Sequence, residues 1–197
     1  KIKVLYAMSF LDDPTRIFRA IRFAGRLDFE LEPSTLFQMN QALQGKPFEA
    51  VSGDRLREEI DRVFEEDVPW KIVEDLFEFD VFPTLLPEME KTAKMGECFP
   101  KASSLLNEKQ VFDEKATYYC LLVRPLAPEK TSYFSQRLMF SQRRAEVLEQ
   151  FKRFAKIRPR LREAESNSEL HELLSFIEAD EVFLALRASE PEALAEK

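Results

Sequence analysis

Four glycines in 197 residues is the tightest constraint that this sequence places on its own fold. Strand-and-turn architectures spend glycine at every tight reversal, and a chain this poor in it has to reverse direction by other means. Apolar residues make up 45% of the chain and recur mostly at i, i+3 and i+4. That combination predicts an all-α protein, long enough to close the core of one or two packed domains. Eighteen phenylalanines against one tryptophan predict seams between helices filled by phenyl rings.

Several functional classes drop out on composition. Cys98 and Cys120 lack metal-ligand spacing, and they read as reduced core thiols of a cytoplasmic protein. His171 is the single histidine, which argues against a histidine-based metal site or catalytic triad. The sequence contains neither an apolar run of membrane-spanning length nor a recognisable signal peptide.

The net charge of −7 looks wrong for a polyanion binder until its distribution is read. From Arg137 to Arg162 nine basic residues face two acidic ones, Glu146 and Glu149, whereas residues 163–197 carry ten acidic and two basic residues. Helices are predicted near 113–124, 128–140, 143–156, 168–177 and 179–188. On the helix over 143–156, Val147, Leu148, Phe151, Phe154 and Ala155 form the core face, which predicts Arg143, Lys152, Arg153 and Lys156 on the outside. This face suits the phosphates of RNA, or it is simply a solvated face balancing the acidic tail.

Nearer the start, Asp12-Asp13-Pro14-Thr15-Arg16-Ile17-Phe18-Arg19-Ala20-Ile21-Arg22-Phe23-Ala24 opens a helix. Pro14 suits its first position, and Asp13 can cap the free amides. Ile17, Ala20, Ile21, Ala24 and Leu27 make an apolar face. Arg19, Arg22 and Arg26 fall within one arc at about 100° per residue, with Arg16 to one side. A row of guanidinium groups beside a positive helix terminus suits phosphates; the plainer alternative is an ordinary charged face. Pro33 starts a second helix to about Leu43, and Ser52 caps a third with Leu56, Ile60, Val63 and Phe64 inward. One or two helices follow between Pro69 and Phe82. Lys1 to Leu5 alternates and is β-prone, so it reads as the last strand of something upstream.

The order Asp-Asp-Pro-x-Arg-x-x-Arg-Ala-x-Arg-Phe-Ala, continuing through Gly25-Arg26-Leu27-Asp28-Phe29-Glu30-Leu31-Glu32-Pro33, resembles the nucleotide-selecting motif of class II tRNA nucleotidyltransferases. These are the CCA-adding enzymes, with their A-adding and bacterial poly(A) polymerase relatives. Ser52-x-x-Arg55-Leu56-x-x-Glu59-Ile60 resembles the helix that follows that motif in the same family. The resemblance implies a neck, body and tail of helices, with 1–11 ending a catalytic head, 12–96 as neck and 97–197 as body and tail. It implies that Asp13 and Arg16 read the base, that Arg19 and Arg22 complete the nucleotide pocket, and that Asp12, Arg55 and Glu59 support it. It also implies ATP and CTP as substrates, a tRNA or other RNA 3′ end as partner, and Mg2+ held by the head. The head's Gly-Ser turn followed by Asp-x-Asp is absent from this sequence, so the catalytic centre is expected outside it. Asp12 departs from the glutamate found at that position in many CCA-adding members. A poly(A) polymerase, or a helical interaction module without catalysis, is the alternative expectation.

Overall fold

The computed structural model describes residues 1–89, 91–92, 95–164 and 166–190, with Arg162 described for its backbone only. Among these residues there are twelve α-helices and one 3-10 turn, and no sheet. The chain divides into two compact units, Lys1–Ala93 with Gln136–Met139, and Lys94–Ser135 with Phe140–Lys197.

The start of the first unit is extended but does not form a strand. Ile2 makes one isolated parallel bridge to Leu31, donating to the Glu30 carbonyl at 2.8 Å and accepting from the Glu32 N–H at 2.9 Å. Then come α1 (Ser9–Asp12), α2 (Thr15–Leu27), α3 (Pro33–Gln44), the 3-10 turn Pro47–Ala50, α4 (Gly53–Phe64), α5 (Pro69–Glu78) and α6 (Val81–Leu85). α2 packs against both α4 and α5, and this explains its buried set. Ile17, Phe18 and Ile21 have no exposed surface, while Leu27 keeps 47% of its own. With neighbours on two sides, the buried stripe widens to take in Phe18, which the single-face reading of 17, 20, 21, 24 and 27 left out. Leu27, in the last turn, falls beyond it.

Phe18 anchors an aromatic cluster, 5.4 Å from Phe48 and 6.5 Å from Phe82 between ring centroids, with Phe77 4.9 Å from Phe82. Phenyl pairs at these separations add to the burial of their area. α2 lies close against α5 at Gly25, where a Cβ would sit 2.6 Å from Ile72 Cγ1. The segment Gln136–Met139 belongs to the first unit through specific bonds. Arg137 Nη2 donates to the carbonyls of Phe48 (2.6 Å) and Val51 (2.9 Å), and Arg57 Nη1 donates to those of Leu138 (3.2 Å) and Met139 (2.7 Å).

The second unit contains α7 (Met95–Glu108), α8 (Glu114–Leu122), most of α9 (Pro128–Arg137), α10 (Gln142–Glu163), α11 (Asn167–Leu174) and α12 (Asp180–Ser189). α12 packs on α7, α8 and α10, and Tyr119, Cys120, Val182 and Ala185 lie fully buried among them. Three of these helices start on side-chain caps: Asp113 accepts from the Ala116 N–H, Ser141 from Arg144 and Ser166 from Glu169. α10 runs on through Pro159 to Glu163, one and a half turns or more past the expected end near 156. The periodic core residues stop at Ala155, but the backbone does not: Leu161 is buried and Arg158 is bonded to Glu190, so tertiary contacts carry the helix past the proline.

Candidate nucleotide and RNA sites

The corner where α1 meets α2 gathers the groups that the sequence singled out. Asp13 precedes the helix, and its Oδ1 accepts from the Thr15 N–H (3.1 Å), the Thr15 hydroxyl (2.7 Å) and Arg55 Nη2 (3.0 Å). Its Oδ2 accepts from Arg55 Nη2 at 3.1 Å and lies 4.0 Å from Arg16 Nε. Partial burial pushes the Asp13 carboxyl up, but the two Thr15 hydrogen bonds, Arg55 and Arg16 together outweigh it and hold it below the usual carboxylate value. Arg16 is held from behind, its Nη1 donating to the Ser9 hydroxyl (2.9 Å) and the Ser9 carbonyl (3.3 Å). Asp12, exposed at the end of α1, makes no contact with Arg16 among the described residues; Ser9 orients it instead.

The structure thus brings Asp13, Arg16 and Arg55 together. Oδ2 takes only the Arg55 contact and retains lone-pair capacity, and Arg16 Nη2 has no acceptor among the described residues. An acceptor with capacity to spare beside an unused donor is a pattern that a heterocyclic edge can complete.

The other expected members of this site lie apart from that corner. Arg19 is exposed on α2. Arg22 is not a free member of an arginine stripe: only 12% of its side chain is exposed, and Nη1 donates to Glu66 at 2.7 Å. Arg26 also approaches Glu66, at 3.9 Å, and the two guanidinium carbons flank the Phe23 ring at 4.8 and 4.7 Å from its centroid. Glu59 is buried on α4 and accepts from Arg62 rather than reaching Asp13. Of the supporting residues, Arg55 alone touches the pair.

The basic stretch of the second unit is largely used up inside the protein. Arg144 pairs with Asp113 at 2.7 Å, Arg158 with Glu190 at 2.6 Å, and Arg143 with the buried Glu181 at 3.3 Å while stacking 4.4 Å from the Phe112 centroid. Lys152 requires a correction. It is buried, not outward, and its ammonium donates to the carbonyls of Val123 (3.3 Å), Arg124 (3.0 Å) and Leu126 just past the end of α8. Burial, with Arg124 nearby, lowers its pKa from the usual lysine value. The physical reason is that these carbonyls, left without helical partners, need a donor, and a lysine stem can cross the apolar face to supply one.

Arg153, 4.3 Å from the Phe176 centroid, and Lys156 remain exposed. They line a cleft of roughly 300 Å3 with Pro128, Thr131, Ser132 and Glu149. Sequence reasoning missed Ser9, Thr15 and Glu66. Thr15 follows Asp13 at the spacing of a carboxylate-centred turn, a signal that was there to be read. Nothing local marks Ser9, and Glu66 is identified only by the tertiary fold.

A family described as "Probable RNA and SrmB- binding site of polymerase A" matches residues 28–92, the segment from the end of α2 through α6 and the residues just after it. The A-adding tRNA nucleotidyltransferase of Aquifex aeolicus is 25% identical over 196 residues, covering 96% of this chain and 24% of that protein. Among solved structures, a CCA-adding enzyme in its apo form I aligns with a TM-score of 0.82 at 26% identity, over 99% of this chain and 47% of that one. The Thermotoga maritima CCA-adding enzyme complexed with tRNA-CCA aligns at 0.79 and 26% identity, over 99% and 48%. CCA-adding enzyme complexes with CTP and with ATP align at 0.80 and 0.81. The chain therefore spans about a quarter of the curated relative and about half of the solved chains.

Proposed function

We propose that this chain, similar over nearly its whole length to A-adding and CCA-adding enzymes, is part of a class II tRNA nucleotidyltransferase or bacterial poly(A) polymerase, and that it selects the incoming nucleotide and binds RNA for that template-independent reaction. The reaction joins CMP or AMP from CTP or ATP to the 3′ end of a tRNA and releases pyrophosphate. In this reading residues 12–96 are the neck and 97–197 the body and tail, with residues 1–11 ending a catalytic head, and the protein works in the cytoplasm.

The observation that carries the reading is Asp13 Oδ2, with lone-pair capacity beyond its Arg55 contact, next to an Arg16 whose Nη2 has no acceptor among the described residues. Cytosine and adenine each place an exocyclic amino group next to a ring acceptor. The amino group donates to Oδ2, and the ring nitrogen accepts from Nη2. Uracil and guanine place a carbonyl where the amino group would be, so an acceptor would confront an acceptor, and a buried mismatch of that kind is strongly disfavoured. Arg19 is free to meet the phosphates or the ribose. Arg22 keeps α2 in place through Glu66. Asp12 and Glu59 frame the site without touching the pair.

Enzymes of this class use divalent metal ions to activate the attacking hydroxyl and neutralise the leaving pyrophosphate. Among the described residues no group of three or more His, Cys, Asp or Glu could hold a metal, so Mg2+ has no donor set here and no step is assigned to it in this chain. For RNA, the matched segment 28–92 supports contacts by α3 to α6, and Arg153 and Lys156 offer the second unit's available charge. Arg143 contributes only as far as its pairing with Glu181 allows.

In the natural protein that carries this chain, Arg16→Ala is expected to cut CMP and AMP incorporation by about tenfold or more, one charge-assisted hydrogen bond's worth. Wild-type incorporation by that variant would overturn the assignment. The A-adding enzyme matched over 96% of the chain favours a second reading, addition of the terminal A alone. Offering tRNAs that end before C, after one C and after two, with CTP or ATP singly, separates the two products and a poly(A) tail.

A further inference from the structure

Two hydroxyls, those of Thr15 and Ser9, back the Asp13–Arg16 pair. Thr15 and Ser9 are both buried, at 4% and 7% exposure, and each presents its oxygen to one member of the pair. Thr15 donates twice to the same carboxylate oxygen, from its amide at 3.1 Å and its hydroxyl at 2.7 Å. Arg55 Nη2 reaches that oxygen at 3.0 Å and comes within 3.5 Å of the Thr15 hydroxyl as well. Oδ1 is thereby saturated, whereas Oδ2 takes only the Arg55 Nη2 contact at 3.1 Å and is the oxygen with capacity to spare. Ser9 does the corresponding thing for the guanidinium. Its hydroxyl at 2.9 Å and its carbonyl at 3.3 Å both accept from Nη1, which leaves Nη2 as the terminal nitrogen without an acceptor among the described residues.

We propose that Thr15 and Ser9 are positioning residues that decide which carboxylate oxygen and which guanidinium nitrogen face the nucleobase. The proposal rests on the reading of Asp13 and Arg16 as the base-reading pair. It adds that the pair alone is not the specificity element. A free carboxylate beside a free guanidinium would collapse into a two-pronged ion pair, with both oxygens and two nitrogens facing each other and nothing left for a base. The two hydroxyls prevent this: Arg16 Nε stays 4.0 Å from Oδ2, and the second prong never forms. A site whose donors and acceptors are held before the ligand arrives does not have to pay for ordering them, and discriminates better for it.

The test is steady-state incorporation of CMP and AMP by the full-length natural protein, measured across pH for Thr15→Val, Thr15→Ser and Ser9→Ala. Valine matches threonine in shape and removes only the hydroxyl. Thr15→Val is expected to raise KM for CTP and ATP on the order of tenfold, one hydrogen bond to a charged group. The acid limb of its kcat/KM profile is expected to move to higher pH, because the carboxylate loses a donor that favours its charged form. Thr15→Ser restores both. Ser9→Ala raises KM without moving the acid limb, since a guanidinium does not titrate there.

A Thr15→Val enzyme with wild-type KM and acid limb overturns the proposal, as does a Thr15→Ser enzyme no better than the valine variant. Should Thr15→Val fail to fold, Ser9→Ala decides: a wild-type KM there overturns it too. Asp13→Ala separates the two levels. Undiminished incorporation by that variant removes the base-reading premise itself, whereas a crippled Asp13→Ala beside a normal Thr15→Val removes only the positioning role.

Discussion

Replacing Lys152 with methionine separates a structural lysine from an RNA-binding one. The ammonium serves three carbonyls, those of Val123, Arg124 and Leu126. The Val123 carbonyl also accepts from the Leu126 N–H at 3.0 Å, so removing the lysine orphans at most two of them. Leaving a buried acceptor without its donor costs about 1–3 kcal/mol, and the low end applies because the Arg124 bond is only part-buried. Two carbonyls at about 1 kcal/mol each give a loss of about 2 kcal/mol. Methionine keeps most of the stem's packing and removes the cost of burying a charge, offsetting about 1 kcal/mol, so the expected net loss is about 1 kcal/mol. Urea unfolding followed by circular dichroism reads this directly: with m near 2 kcal/mol per molar, the midpoint falls by about 0.5 M.

The pH dependence carries a second signature. Folding depresses the Lys152 pKa below its usual 10.5, so between the two values the unfolded chain binds a proton that the native protein lacks. Wild-type stability therefore rises with pH through that window, and the methionine variant loses this slope. RNA binding by the variant should keep the wild-type salt dependence. A Lys152→Met protein as stable as wild type, with a salt slope reduced by about one, would refute the reasoning and return Lys152 to the phosphate-binding class.

Other perturbations test the packing and the charges of the first unit. A Cβ at Gly53 would sit 2.1 Å from the Arg137 carbonyl oxygen, so Gly53→Ala is expected to lower the unit's thermal midpoint by the equivalent of about 1–3 kcal/mol or more. Gly45→Ala, whose Cβ would meet nothing closer than 3.4 Å, is the control and should change it little. Asp75 has its pKa raised first by burial and then by Glu78 and Glu74, so its charge costs the native state stability at neutral pH. Asp75→Asn should therefore stabilise at pH 7, by less than about 1 kcal/mol, and the gain should shrink as pH falls through the raised native value and vanish below the ordinary carboxylate value of 3.8, where both states are protonated. Charge reversal at Arg153 and Lys156 should weaken RNA binding and flatten its salt dependence by about two phosphates' worth; an unchanged slope would make them ordinary surface charges.

Helices were legible here because their signals are local. Prolines at starts, serine and aspartate caps and i, i+4 apolar rows lie within a few residues of what they specify, and the all-α class follows from them. Phe18 shows where that legibility ends. One helix's periodicity marks one face, but α2 has two partners, and only the tertiary arrangement makes position 18 a core position. The return of Gln136–Met139 to the first unit depends on Arg137 and Arg57 bonding to backbone carbonyls, an interaction with no sequence signature.

Charge misled for the same reason. Nine basic residues in a stretch of 26 read as a surface, yet Arg144, Arg158, Arg143 and Lys152 spend their charge on Asp113, Glu190, Glu181 and three carbonyls, partners that sequence distance hides. At the α1–α2 corner the spacing of Asp13 and Arg16 was readable. Which oxygen and which nitrogen keep capacity to spare was not, because that depends on Ser9, Thr15 and Arg55.

Nucleotide preference of Asp13→Asn in the full-length natural protein is the most direct measurement. Three donors meet Oδ1 and only the 3.1 Å Arg55 contact meets Oδ2, so an asparagine is expected to give its carbonyl oxygen to Thr15 and Arg55 and to place its amide nitrogen where Oδ2 was. The atom at that place changes from acceptor to donor. The expected result is a collapse of the preference for CTP and ATP over UTP and GTP, with uracil and guanine carbonyls now accepted where amino groups were. An Asp13→Asn enzyme that still chooses CTP and ATP by the wild-type margin would contradict base reading by this pair.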